Sequence, residues 1–237
     1  MKIKVLIPNS GMDRDTLNAR ESMLSRAVSS GTQISVDCIP DGPISIESVT
    51  EEISAGPYLL EAGRQAQRKG YDAFVVYCFS DLAVDALREN LSIPVVGPGA
   101  VALSAADMLS NRFIVVTTVE RNVSRTLRRL KQNPVCREKM AGVRALNIPV
   151  TELRDNPKAT MRYLNKLCRM AVEEDRADTL VLDCLGLAEY GDALEQEFGI
   201  KVIDPAFLAV AWAEMAARLN LRPSRRSYGS VGTQEEV

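Results

Sequence analysis

The chain contains no histidine among its 237 residues. That absence excludes a Ser-His-Asp triad, a Cys-His dyad and an HExxH zinc site, because each of them needs an imidazole group. Any acid-base chemistry must therefore use carboxyl, thiol, amine or phenol groups. The five cysteines include no CxxC pair, so we expect a reducing compartment and no metal site.

An excess of charge of one sign and long apolar runs are also missing. With 29 Lys and Arg against 31 Asp and Glu, the formal net charge is -2, so no basic surplus is available for nucleic acid or an anionic membrane. No stretch reaches the roughly 18 apolar residues of a membrane span. The apolar run in MKIKVLIPNS is too short for a signal peptide. These features predict a cytoplasmic protein with neither nucleic-acid nor membrane partners; the cysteine pair described below adds a small-molecule substrate.

Short β-branched segments alternate with longer segments of helical spacing, which predicts an α/β fold with parallel sheets covered by helices. The expected strands are 3–7, 34–39, 73–78, 94–96, 113–118, 143–150, 180–184 and 201–203. The expected helices lie near 13–29, 55–69, 81–90, 98–110, 121–132, 157–175, 188–198 and 205–219.

The second half of the chain repeats the first at an offset of 106 to 107 residues. Asp72-Ala-Phe-Val-Val-Tyr-Cys78 aligns with Asp178-Thr-Leu-Val-Leu-Asp-Cys184, and Ile93-Pro-Val-Val-Gly-Pro98 aligns with Ile200-Lys-Val-Ile-Asp-Pro205. The duplication predicts two pseudo-symmetric lobes, each a four-stranded parallel sheet flanked by helices, with the active site in the cleft between them. The expected first lobe is 1–97 with part of the C-terminal helix at about 206–219, the second is 98–205, and 220–237 is a flexible polar tail.

Cys78 and Cys184 occupy equivalent positions of the repeat, each at the end of an apolar strand. Ligands of parallel α/β sheets bind at the carboxyl ends of the strands, where helix N-termini favour a thiolate. One thiolate that removes a proton and an opposed thiol that returns one would racemise a carbon acid. The alternative is that both are buried apolar residues duplicated with the fold. We predict catalysis for this pair and a packing role for Cys38, Cys136 and Cys168.

Six short segments carry a resemblance to a known family: Leu6-Ile-Pro-Asn9-Ser10, Gly42-Pro-Ile-Ser-Ile-Glu47, Val76-Tyr-Cys78-Phe79-Ser80-Asp81, Val95-Val-Gly97, Val115-Val-Thr117-Thr118 and Leu182-Asp-Cys184-Leu-Gly186-Leu187. Over about residues 1–215 the chain resembles the Asp/Glu/hydantoin racemase superfamily, and within it the hydantoin and allantoin racemase branch. The resemblance implies two α/β lobes with the active site between them, Cys78 and Cys184 as the proton-transfer pair, and no cofactor.

Residues beside the two cysteines and at other strand ends are the expected substrate ligands. Polar side chains after the first and fifth strands offer hydrogen bonds, and backbone amides after the cysteines would face the developing enolate charge. The predicted substrate-binding set is Asn9, Ser10, Ser45, Phe79, Ser80, Thr117, Thr118, Leu185 and Gly186.

The chain departs from the family pattern at several positions. The branch usually has Asn-Pro-Asn where this chain has Ile7-Pro8-Asn9, Asp where it has Ser80, and Gly where it has Asp183. The amino-acid racemases of the superfamily follow the second cysteine with Thr-Glu, whereas this chain has Leu185-Gly186. A ring or amide substrate is therefore favoured over an acidic amino acid.

Gly97-Pro-Gly99-Ala-Val-Ala102 fits the GxGxxA pattern of dinucleotide-binding loops. The pattern follows the fourth expected strand instead of the first, and Pro98 stands at the start of the next helix. Helix capping is therefore the favoured interpretation of this segment.

The predicted function is cofactor-independent racemisation of a carbon acid flanked by a carbonyl group and a nitrogen, with a 5-substituted hydantoin or allantoin as substrate. We also expect a homo-oligomer. The alternatives are an Asp/Glu-type amino-acid racemase, a maleate-isomerase-like or arylmalonate-decarboxylase-like enzyme on the same scaffold, and a non-catalytic small-molecule sensor. The intact cysteine pair argues against an arylmalonate-decarboxylase-like enzyme, because that type keeps only one active-site cysteine.

Overall fold

The computed structural model describes residues 1–229 of the chain. Its backbone contacts define two compact units. The first unit comprises Met1–Pro98 and the chain from residue 207 on, and the second unit comprises Gly99–Ala206. No helix between residues 1 and 229 combines the length and apolar character needed to cross a membrane.

The first unit contains a four-stranded parallel sheet of order β2-β1-β3-β4. Its central strand β3 reads AFVV and is buried throughout, as expected for a parallel strand covered on both faces. The strands are β1 (Lys2–Ile7), β2 (Gln33–Cys38), β3 (Ala73–Val76) and β4 (Val95–Val96), and the helices are α1 (Arg14–Ser25), α2 (Val49–Arg68) and α3 (Val84–Asn90).

The second unit has the same topology, with strand order β6-β5-β7-β8 and parallel pairing throughout. The strands are β5 (Phe113–Thr117), β6 (Met140–Ala145), β7 (Thr179–Leu182) and β8 (Lys201–Ile203), and the helices are α4 (Pro98–Leu109), α5 (Glu120–Leu130), α6 (Pro134–Lys139), α7 (Pro157–Glu173) and α8 (Gly191–Phe198). The last helix, α9 (Pro205–Arg218), belongs to the first unit from residue 207 on. The predicted fold class of two four-stranded parallel sheets flanked by helices is confirmed.

Each unit has its own apolar core, built in the same way from one long helix, the central strand and one short helix. In the first unit Leu59 of α2, Phe74 of β3 and Leu87 of α3 belong to one buried cluster. In the second, the corresponding cluster contains side chains of α7, β7 and α8. Full burial of one such side chain contributes about 1.5 to 3 kcal/mol. The duplicated sequence therefore forms two separate cores.

Helix α2 begins at Val49, earlier than the expected start at 55. The Ser48 hydroxyl accepts a hydrogen bond from the Glu51 amide at 3.2 Å and caps the helix. Pro57 lies inside α2. The residue before it is Gly56, which lacks the Cβ atom that would crowd a proline ring in a helix. Proline is common in the first turn of a helix, so the position of Pro57 agrees with the later start that the sequence predicted for α2.

Strand β6 and helix α6 also differ from expectation. The strand occupies Met140–Ala145 instead of 143–150, because its pairing with β5 already begins opposite Phe113. Helix α6 was not predicted. Strand β3 ends at Val76, so that Cys78 lies in the following turn and not in the strand.

The segment after α9 contacts α3. The Arg225 guanidinium donates hydrogen bonds to the carbonyl oxygens of Arg88 and Glu89 at 3.3 and 3.4 Å, and the Tyr228 ring lies 5.7 Å from the Arg88 guanidinium. Helix carbonyls at this end lack intrahelical partners, which explains why a cation binds there. The tail predicted at 220–237 extends over residues 230–237, which lie outside the described residues.

Replacement of Gly63 by alanine should destabilise the protein. A Cβ atom at Gly63 would lie 2.5 Å from Leu87 Cδ2 and 3.0 Å from Leu91 Cδ1, and both leucines are fully buried. We expect Gly63→Ala to lower the free energy of unfolding by about 1 to 3 kcal/mol in urea denaturation.

The matched control is Gly31→Ala. No atom lies within 4 Å of a Cβ at Gly31, so this change should leave stability unchanged or raise it by up to about 1 kcal/mol. Equal stabilities of the two variants would contradict the packing described for α2 and α3.

Candidate active site

Cys78 lies in a tight turn directly after the central strand of the first unit. The last β1–β3 pair is Leu6 with Val76, after which the Tyr77 amide donates to the Leu6 carbonyl at 2.8 Å. Cys78 is half-buried and packs on the edge of the first core. Its Sγ lies 3.3 Å from the Ser80 Oγ, within hydrogen-bond distance for sulfur. The turn therefore places a hydroxyl group directly beside the thiol.

The second half of this turn depends on a close contact with Gly97. Asp81 and Ala83 have φ angles of 55° and 58°, in the left-handed region. A Cβ atom at Gly97 would lie 2.5 Å from the Asp81 Cγ, so only glycine leaves room for this carboxylate. The first glycine of the GxGxxA pattern thus accommodates a side chain of the protein itself.

Cys184 lies in the equivalent turn of the second unit. The Asp183 amide donates to the Val116 carbonyl at 2.9 Å, and the Leu187 amide donates to the Cys184 carbonyl at 2.9 Å. This second bond closes a short 3-10 turn over Leu185–Leu187. A Cβ atom at Gly186 would lie 3.3 Å from Cys184 Sγ and 2.9 Å from a Leu153 methyl group. In both units, the residue two positions after the cysteine lies against its sulfur.

Arg154 fastens the turn that follows Cys184. Its guanidinium donates to the carbonyl oxygens of Gly186 at 3.2 Å and Ala188 at 3.0 Å. It also lies 3.6 Å from the Glu189 carboxylate. The sequence contains no local signal of this role of Arg154, because the contact joins segments more than 30 residues apart.

Asp204 holds the end of the same turn. Its carboxyl group accepts hydrogen bonds from the amides of Glu189 at 3.0 Å and Ala206 at 2.9 Å. Burial raises the pKa of Asp204, and these two amide bonds oppose the rise. The end of β8 and the start of α9 are thereby tied to the Cys184 turn.

Asp183, the residue before Cys184, joins β7 to β5 and α5. Thr126 donates a hydrogen bond to its carboxyl group at 3.3 Å, and Thr117 provides another. Burial raises the pKa of Asp183, while Arg129, the two threonines and Arg125 act against that rise. The Thr117 side chain is 1% exposed, and its hydroxyl is hydrogen-bonded to the Asp183 carboxyl group.

The other predicted substrate ligands lie at the same sheet edges. The Ser10 amide donates to the Pro43 carbonyl at 2.8 Å, and its hydroxyl donates to the Gly42 carbonyl at 2.9 Å. These bonds join the end of β1 to the loop that contains Ser45. The residues of the predicted set that lie at the carboxyl edge of the first sheet are Asn9, Ser10, Ser45, Phe79 and Ser80. Those at the carboxyl edge of the second sheet are Thr117, Thr118, Leu185 and Gly186.

The side chains of these residues differ in burial. Asn9 and Ser45 are half-buried, whereas Thr118 is 2% exposed. The Phe79 and Leu185 side chains are each 3% exposed, so their expected contribution is restricted to the backbone.

Cys136 and Cys168 are placed differently from this pair. Burial raises the pKa of the Cys136 thiol to about 11 and that of the Cys168 thiol to about 12, so both are protonated at neutral pH. Cys38 ends β2 and is half-buried. Within residues 1–229, no three cysteine, aspartate or glutamate side chains come together to hold a metal ion.

Asp183→Asn tests the cost of burying the Asp183 carboxylate. Because the folded-state pKa is raised above the unfolded value of about 3.9, folding disfavours the charged form. The wild type should therefore lose stability relative to the variant as the pH rises through the folded-state pKa. We expect Asp183→Asn to unfold at a higher temperature at pH 8, with a difference that shrinks towards acid pH. A difference independent of pH would contradict this assignment.

Comparisons with known proteins bear on the whole chain. A family model described as Asp/Glu/Hydantoin racemase matches residues 3–213. The chain is 34% identical over 227 residues to a hydantoin racemase of Pseudomonas sp. (strain NS671), covering 95% of this chain and 89% of that protein. It is 35% identical over 214 residues to a hydantoin racemase of Rhizobium meliloti, covering 90% and 88% respectively.

A solved structure is similar over the full length. The allantoin racemase from Klebsiella pneumoniae superposes with a TM-score of 0.89 at 28% identity, covering 100% of this chain and 95% of that chain. The chain therefore belongs to the Asp/Glu/hydantoin racemase family and is an isomerase of the racemase type.

Proposed function

We propose that this racemase inverts a carbon flanked by a carbonyl group and a nitrogen, in a 5-substituted hydantoin or in allantoin, with Cys78 and Cys184 as its two proton-transfer groups. The observation that carries the proposal is the equivalence of the two thiols. Each lies two residues beyond the central strand of a parallel sheet, at the edge where such sheets bind ligands, and each is half-buried.

The similar proteins and the second turn both support the proposed substrate class. The relatives are named hydantoin racemases, and the similar solved structure is named an allantoin racemase. The residues after Cys184 are Leu185 and Gly186, and the Leu185 side chain is buried. This turn carries no charged side chain at those two positions, in keeping with a neutral ring or amide.

The reaction needs one thiolate and one thiol on opposite faces of the substrate. The thiolate takes the hydrogen of the carbon as a proton, and the electron pair of the broken C–H bond delocalises onto the adjacent carbonyl oxygen as an enolate. The opposed thiol then gives its proton to the other face of the same carbon. At the end the two sulfurs have exchanged protonation states, so the reverse reaction proceeds by the same steps.

This mechanism requires the two sheet edges to face a common cleft, as the lobes at 1–97 with 206–219 and at 98–205 would provide. The sulfurs would lie about 7 to 9 Å apart, given roughly 3.5 Å from each sulfur to the reacting carbon. Backbone amides after each cysteine would stabilise the enolate charge. The buried, protonated thiols Cys136 and Cys168 are unsuited to this role.

Single replacement of either thiol should abolish racemisation. A serine hydroxyl is far too weakly acidic to act as a base at neutral pH, so Cys78→Ser and Cys184→Ser should each lose about 100-fold or more in kcat/KM. The measurement is the loss of optical rotation with single enantiomers of several 5-substituted hydantoins, allantoin, aspartate and glutamate. Only the hydantoins or allantoin should respond in the wild type.

Cys38→Ser is the matched control, because Cys38 is also a half-buried thiol at a strand end. It should retain the wild-type rate. In D₂O each active-site variant should exchange the hydrogen of one enantiomer only, and the two variants should differ in which one. Full racemisation by either of these variants would refute the two-thiol mechanism.

A further inference from the structure

The residue two positions after each cysteine lies beside the cysteine sulfur in both units, but its side chain differs. In the first unit Ser80 places its hydroxyl oxygen 3.3 Å from the Cys78 sulfur. In the second unit a Cβ atom at Gly186 would lie 3.3 Å from the Cys184 sulfur. The sequence offset between these two positions is 106, the offset of the repeat itself. Both halves therefore have a residue beside the sulfur, but only the first half has a hydroxyl group there.

We propose that the Ser80 hydroxyl donates a hydrogen bond to the Cys78 sulfur and makes Cys78 the resting thiolate, which leaves Cys184 as the thiol that supplies the first proton. This assignment rests on the proposed function and deepens it. A hydrogen bond to the charged form of a group favours that form, and a charge-assisted bond is roughly twice as strong as a neutral one. Glycine at position 186 has no hydroxyl to offer Cys184.

The residue type at position 80 decides the direction of this effect. A carboxylate held at the same distance would repel a thiolate, whereas a hydroxyl stabilises it. The Ser80 hydroxyl, 3.3 Å from the sulfur, therefore favours ionisation of Cys78.

Other titratable groups near the first turn are unaltered by a change at position 80. The Asp81 carboxylate lies against Gly97. Tyr58 and Tyr71 pack on the same core as Cys78. A change in Cys78 reactivity in Ser80 variants therefore reports the hydroxyl group.

Charged groups of both signs lie near the second turn. Arg154, which binds the Gly186 carbonyl, is paired with Glu189, and Asp204 accepts the Glu189 amide. Asp183 is hydrogen-bonded to Thr126 of α5. Arg125 and Arg129, also of α5, interact electrostatically with the same carboxyl group. A change at position 80 leaves all of these groups in place, so the alkylation of Cys184 is an internal reference for that of Cys78.

The test is the pH dependence of alkylation by iodoacetamide, because the thiolate is the reactive form. Wild type, Ser80→Ala and Ser80→Thr are compared, and the alkylation rates of the peptides that contain Cys78 and Cys184 are followed separately by mass spectrometry. In the wild type, Cys78 should react with a midpoint at lower pH than Cys184. In Ser80→Ala the Cys78 midpoint should rise by about one pH unit, roughly a tenfold loss of thiolate at a given pH.

The Cys184 midpoint should stay constant in all three proteins, and Ser80→Thr, which keeps the hydroxyl, should retain the wild-type Cys78 midpoint. Thermal unfolding verifies that each variant is folded. An unchanged Cys78 midpoint in Ser80→Ala, or a Cys184 midpoint below that of Cys78 in the wild type, would overturn the assignment. Alkylation needs no turnover, so this failure is distinct from that of the proposed function, which full racemisation by Cys78→Ser would reveal.

Discussion

The turn that ends each central strand is the constraint on which the rest of the structure depends. Parallel pairing stops at Val76 in the first unit and at Leu182 in the second. The amide of the next residue, Tyr77 or Asp183, still donates a hydrogen bond to the neighbouring strand. The following residue, a cysteine in both units, is thereby held just beyond the sheet edge. That position is half-buried, unlike the positions of Cys136 and Cys168 within helices, where burial keeps the thiols protonated.

A carboxylate contacts each of the two turns, but the residue that supplies it differs between the units. In the first unit the carboxylate belongs to the turn, since Asp81 lies against Gly97 after β4. In the second it belongs to the residue after β8, since Asp204 accepts the Glu189 amide of the turn. Gly97 and Asp204 are equivalent positions of the repeat. Both halves therefore keep a carboxylate contact at this turn although their sequences have diverged. The two thiols occupy equivalent positions but have different surroundings.

The sequence predicted the fold well because strand periodicity is a local pattern and the internal repeat can be found by comparing the two halves of the sequence. It placed both cysteines at sheet edges for the same reason. It did not reveal the first turns of α2, since Pro57 resembles a helix start. The sequence also did not predict the contacts of Ser80 and Arg154. The Ser80 contact with Cys78 depends on a turn with left-handed residues, and the Arg154 contact joins distant segments. Local pattern thus predicts where a group lies, and turn geometry determines what it touches.

The central claim is that two thiols act on opposite faces of one carbon. The most direct measurement is racemisation of a single enantiomer of a 5-substituted hydantoin by the wild type in D₂O at low conversion, with enantiomers separated and their deuterium content determined. If two groups act, the product carries solvent deuterium while the recovered substrate stays unlabelled, after correction for exchange without enzyme. Deuterium that enters recovered substrate as fast as product would show that a single group serves both faces, and would contradict the account.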